Sequence, residues 1–74
     1  MKLPRGLSGD KVIRAFKRAG WQEVRTHSSH VMLQKDGHDY TLAVPRHDEV
    51  GAGLLRGLIG DAGMTFEEFA RLLK

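Results

Sequence analysis

Two histidines bracket a pair of serines in His27-Ser28-Ser29-His30, just ahead of the alternating run Val31-Met32-Leu33-Gln34, and Arg25 stands close upstream. An imidazole titrates near neutrality and can take or give a proton, while a guanidinium can hold a phosphate through two parallel hydrogen bonds. Those are the parts that cleavage of an RNA backbone requires: a base for the 2′-hydroxyl and a cation for the charge that develops on phosphorus. The same residues also read as a polar surface turn, since serines beside a histidine are ordinary turn residues. A zinc site made from His27, His30, His38 and His47 fares worse than either, because no pair has the i, i+4 helical spacing and no third ligand stands out.

The cluster has to be positioned by the elements around it. Ser8 is a candidate N-cap, with Asp10 at the positive end of the helix dipole. Val12, Ile13, Phe16 and Ala19 follow at helical spacing, and Gly20 offers a left-handed stop. Lys11, Arg14, Lys17 and Arg18 lie on other faces of this helix, as a wet surface or as a track for RNA phosphates. From Trp21 the period becomes two. Val24 alternates with Glu23 and Arg25, and Val31 and Leu33 alternate with His30, Met32 and Gln34, so two antiparallel strands are expected with a four-residue turn between them. Asp36-Gly37 signals a two-residue primed hairpin turn. A third strand, His38 to Val44, then carries Tyr40, Leu42 and Val44 on one face and ends at Pro45.

Val50, Leu54, Leu55, Leu58 and Ile59 form a second amphipathic helix despite four glycines in and beside it. Gly63 suits the position just past its end, and Thr65-Phe66-Glu67-Glu68 is a capping box that opens a short last helix bearing Phe66, Phe69, Leu72 and Leu73. The expected fold is α+β, in the order α-β-β-β-α(-α), with a three-stranded antiparallel sheet and the two main helices on one face. Val24, Val31, Leu33, Leu42 and Val44 should face those helices. Glu23, Arg25, His30, Met32, Thr41 and Ala43 should then share the open face, if no bulge intervenes. Trp21, directly after Gly20, is expected in the core against the end of the first helix.

At 74 residues, residues 1–74 make one domain with room for one small core. The absence of cysteine excludes disulfides and thiolate metal sites, and a reducing compartment is the default. No stretch has the length of apolar residues that a membrane span requires, and the N-terminus lacks the apolar region of a signal peptide, so a cytoplasmic protein is expected. The net charge of +3 suits an anionic partner without selecting one.

Three segments carry a resemblance over nearly the whole chain: AGWQEVRTHSSHVMLQ, LAVPRH and LLRGLIGDAGMTFEEF. Gly20 and Trp21, Ser29 and His30, the Val44-Pro45-x-His47 motif and the pattern from Leu55 to Phe69 together resemble the HicA toxin family. The resemblance implies a fold like that of double-stranded-RNA-binding domains and an mRNA interferase that acts without the ribosome. It further implies catalysis by His30 and an antitoxin of the HicB type that covers the site. The glycine that the family places before Ser29 is Ser28 here, which matters if positive φ or close approach of an RNA backbone is needed at that point.

With the resemblance added, His30 is expected to be the general base of a transesterification that needs no cofactor. His27 and His47 are candidates for the acid, His47 alternatively being a structural residue of the loop into the second main helix. Arg25 and Lys35 are candidate phosphate contacts, and Ser28 and Ser29 can donate to a phosphate oxygen. Met32 offers apolar surface to a nucleobase or to an antitoxin side chain. The competing readings are a non-catalytic RNA-binding module and a protein-interaction domain. Against duplex binding, Glu49-Val50-Gly51-Ala52-Gly53 stands where such a module wants lysines.

Overall fold

The computed structural model describes residues 6–73, in the order α1 (Gly9–Arg18), β1 (Gln22–His27), β2 (His30–Gln34), β3 (Leu42–Pro45), α2 (Ala52–Asp61) and α3 (Phe66–Leu72). The strands form one antiparallel sheet in the order β1-β2-β3. No helix is long and apolar enough to cross a membrane.

The helix ends follow local rules. The Ser8 hydroxyl accepts from the Lys11 amide at 3.2 Å and caps α1. At the other end Gly20 has φ +100°, the Gly20 amide donates to Lys17 and the Trp21 amide to Phe16, both at 3.0 Å. This pair of bonds is a Schellman motif, which satisfies carbonyls that the helix leaves open. α2 repeats it: Gly63 has φ +71°, Gly63 donates to Gly60 at 3.0 Å and Met64 to Ile59 at 3.1 Å. The start of α2 has only Gly51 at its cap, with no side-chain bond. Buried Val50 and Leu55 flank that start, at the two positions that form a hydrophobic staple.

α3 opens with the capping box. The Thr65 amide donates to the Glu68 carboxylate at 2.9 Å and the Glu68 amide to the Thr65 hydroxyl at 3.1 Å. Chiefly the Thr65 backbone N–H, and then its hydroxyl, hold the Glu68 carboxyl below the ordinary glutamate value, with Arg71 adding attraction and slight desolvation opposing. A depressed carboxyl stabilises the fold above its unfolded pKa, and that stabilisation is lost as pH falls through the folded value. The Glu68 side chain is therefore expected to titrate by NMR below the ordinary value in the native chain, and Thr65→Ala, which removes the hydroxyl but keeps the backbone N–H, should move it only part of the way back. That variant should also cost about 1 kcal/mol of stability.

Val31, Leu33, Leu42 and Val44 of the sheet are buried with Val12, Ile13 and Phe16 of α1 and Leu55, Leu58 and Ile59 of α2. α1 and α2 both pack against β3, and α3 packs against both helices. The Phe69 ring lies 5.1 Å from that of Phe16. Arg18 of α1 donates to the Leu72 carbonyl at 2.7 Å, so one basic residue of the first helix ties α3 down. Trp21 is buried as expected, its ring meeting Phe16 on one side and His38 on the other.

The sheet departs from strict alternation at one place. Glu23 pairs with Leu33 and Arg25 with Met32, leaving Val24 as an extra residue between them. The β-bulge shifts the phase of the strand. Glu23 consequently lies on the helix side, where its carboxylate meets Lys17 at 3.7 Å, rather than on the open face. Val24 leaves the core position expected for it and is 49% exposed. Arg25 keeps the open face, opposite Met32.

The loops also differ from the sequence reading. β1 and β2 are joined by Ser28 and Ser29 alone, with His27 paired to His30, instead of by a longer turn. Conversely, β3 begins only at Leu42, so Asp36-Gly37 turns within a longer connection. The His38 amide donates to Lys35 at 3.1 Å across that turn, and only Gly37 of the pair has positive φ, at +83°. That is the pattern of a type II turn and not of a primed hairpin. Tyr40, expected on the core face of a longer third strand, precedes β3 and is 61% exposed. Leu54 likewise faces outward from α2, away from its apolar stripe.

Candidate active site

The open face of the sheet collects the chemistry. His27 and His30 are directly opposite each other at the β1–β2 turn, a placement that brings side chains of paired residues onto the same face and into reach. His30 also pairs with Pro45 of β3 on its other side. The chain then continues to His47, whose ring lies 6.4 Å from that of His30, edge to face at 67°. Three histidines, two from the β1–β2 turn and one from the segment after β3, thus lie at one end of the sheet, and the rings of His30 and His47 are in contact. All three residues are exposed.

Backbone contacts fix this end. The Arg46 amide donates to the Ser29 carbonyl at 2.7 Å, the Gly9 amide to the His47 carbonyl at 2.9 Å, and the Val50 amide to the Leu7 carbonyl at 2.7 Å. The Arg46 guanidinium meets Asp10 at 3.1 Å. The segment carrying His47 is therefore clipped between the β1–β2 turn and the first turn of α1. Gly9 makes this possible: a Cβ there would overlap the Pro45 carbonyl oxygen and lie 2.8 Å from the Arg46 Cα. Sequence reading passed over Gly9, and the available signal was a glycine directly after a helix cap, where a side chain is usually tolerated.

Ser28 has φ +58°, the one positive value at a non-glycine residue among the described residues. Positive φ at the first central residue of a two-residue hairpin is the place where glycine is normally found. Ser28 thus occupies, at some cost, the conformation that a glycine would take easily. Ser28→Gly is expected to raise the denaturation midpoint without changing the slope. The gain should be below about 1 kcal/mol, because glycine also adds entropy to the unfolded chain.

Of the other candidates, Arg25 shares the face with His27 and His30, two paired positions further along. No hydrogen bond or ion pair engages the side chains of Arg25, His27, His30 or His47 with another described residue. Lys35 is not part of the histidine cluster. It lies beyond the far end of β2, beside the Asp36-Gly37 turn. Among the described residues, no group of three or more histidine, aspartate or glutamate side chains is placed to hold a metal ion.

Helices thus back a three-stranded meander whose one end carries exposed histidines. The family model described as the HicA toxin of bacterial toxin-antitoxin matches residues 9–64. The chain belongs to the HicA toxin family. The match runs from Gly9, the residue that lets α1 seat against β3, through Ser28, His30 and His47, to the Schellman stop of α2. Membership of the HicA family makes this protein a toxin component of a toxin–antitoxin pair, and so implies an antitoxin partner. No curated protein matches the chain significantly.

Proposed function

We propose that this HicA-family protein is an endoribonuclease that cleaves mRNA by transesterification at His30 and is held in check by an antitoxin of the HicB type. The observation that carries the reading is the pair His30 and His47, two exposed imidazoles 6.4 Å apart with no competing side-chain partner among the described residues. In the proposed complex a phosphate diester docks on the exposed side of this ring pair. Each ring can then reach one of the two oxygens that exchange at phosphorus.

In the proposed step His30, neutral, takes the proton of the ribose 2′-hydroxyl as its oxygen bonds to phosphorus. The bond from phosphorus to the 5′-oxygen breaks, and His47, protonated, gives its proton to that leaving oxygen. A 2′,3′-cyclic phosphate and a 5′-hydroxyl result, and neither a cofactor nor a metal is needed to balance the step. Arg25, on the same face, is placed to offset the charge that builds on the phosphoryl oxygens, the role in which fixed positive groups contribute most. Ser28 and Ser29 line the turn beside it and can donate to the same oxygens.

His47 is favoured over His27 as acid because its ring contact with His30 crosses from another element, while its backbone is clipped on both sides. His47→Ala should slow cleavage of ordinary RNA by about 10²-fold. It should act far less on a nucleoside 3′-phosphate ester with a nitrophenol leaving group, which needs no proton. A residue of purely structural importance would slow both substrates alike.

The reading is tested in cells by expressing the chain with and without its antitoxin. The chain alone should arrest growth and fragment transcripts, and co-expression should restore both. Growth arrest with intact transcripts would contradict it.

A further inference from the structure

The open face does not end at the histidines. At the opposite end of the sheet a cleft of about 630 Å³ is formed by Gln22, Val24, Gln34, Tyr40 and Thr41 together with the turn that carries Lys35, Asp36 and Asp39. Its volume is in the range of small-molecule sites. Gln22 and Gln34 are directly paired across β1 and β2, so their amides stand side by side, and Gln34 is held by the Thr41 hydroxyl at 3.2 Å. Tyr40 and Val24 are two of the three large apolar side chains exposed among the described residues. The bulge is what sends Val24 there.

We propose that this cleft is a subsite for one base of a single-stranded RNA, on the same face as the site of cleavage and a short length of strand away from it. The inference rests on the ribonuclease reading for the location of the scissile phosphate. The lining fits a base more than a phosphate: paired amides present donors and acceptors to its edge and Tyr40 offers a ring for stacking, while Asp36 and Asp39 beside Lys35 keep the backbone charge outside the cleft. His30, Met32 and Gln34 alternate along β2 and share the face, so the cleft lies about 13 Å from His30, by the rise of a strand. An extended single strand covers that reach in roughly two nucleotides. Met32 and Ala43, both half-buried, floor the path between, and Arg25 flanks it. The cleft would therefore select a base a short distance from the broken bond and give the enzyme a sequence preference.

Short oligonucleotides of mixed sequence with 2′-O-methyl groups separate this from catalysis, because they present bases and phosphates but no nucleophile. On adding them to the labelled native chain, the side-chain amide signals of Gln22 and Gln34 should shift and saturate. Tyr40→Ala should weaken binding by roughly tenfold. On cleavable RNA, the same variant should flatten the preference at one position while dinucleotides, too short to reach the cleft, are cut at the native rate. The subsite is overturned if the glutamine amides do not move while signals at Arg25 and His30 do, if only an antitoxin moves them, or if Tyr40→Ala slows dinucleotides as much as long RNA. Saturable shifts at the glutamines from a chain that cleaves nothing would uphold the cleft and refute the ribonuclease instead.

Discussion

His30→Ala is expected to slow RNA cleavage by about 10³-fold while leaving the fold intact, because a general base contributes 10²–10⁴-fold and this side chain is exposed. Its loss removes only the edge contact with the exposed His47 ring, so stability should change by no more than about 0.5 kcal/mol. Thermal unfolding and single-turnover cleavage, measured on the same preparations, check both halves. Cleavage that survives at the native rate would remove His30 from the chemistry. A Tm drop as large as that of a core substitution would show that the ring holds the sheet together.

Gly9→Ala is expected to produce the reverse pattern, a loss of stability first and of activity as its consequence. The added methyl overlaps the Pro45 carbonyl, and its other near neighbour is the Arg46 Cα at 2.8 Å. Both are backbone, so no flexible side chain can swing away. Overpacking of this kind costs roughly 1–3 kcal/mol. In a domain of this size that lowers Tm by about 10 °C. Because the Gly9 amide also holds the His47 carbonyl, moving α1 away loosens the segment that sets the spacing of the two imidazoles. Cleavage should fall even at temperatures where the variant is folded. A variant with native Tm would mean that α1 does not seat against the end of β3 as described.

Whatever local chemistry determines was legible in the sequence. Ser8, Gly20, Gly63 and the Thr65–Glu68 box act within one turn of chain, and each does in the structure what its residue type requires. The order of elements and the burial of Val31, Leu33, Leu42 and Val44 follow from periodicity for the same reason. Val24 and Glu23 exchanged faces because alternation counts residues, and a bulge adds one that no pattern of apolar positions marks. The late start of β3 has a related cause. Gly37 supplies a turn, but the remainder of the connection, through the exposed Tyr40, forms no ladder with β2.

The site was legible in part for a similar reason. His30 could be placed on the open face from the phase of β2 alone, which the structure bears out. That His47 meets it depends on pairing between β2 and β3 and on the docking of Gly9, contacts between residues far apart in the chain. Lys35, a candidate phosphate contact by residue type, is carried by the five residues of extended β2 to the other end of the sheet from the histidines.

The most direct test is to incubate purified protein with a defined RNA in excess chelator and to analyse the fragment ends. Fragments with a 2′,3′-cyclic phosphate, or its hydrolysed form, on one side and a 5′-hydroxyl on the other are predicted. Intact RNA, or fragments that bear a 5′-phosphate and form only when a divalent metal is restored, would contradict the account.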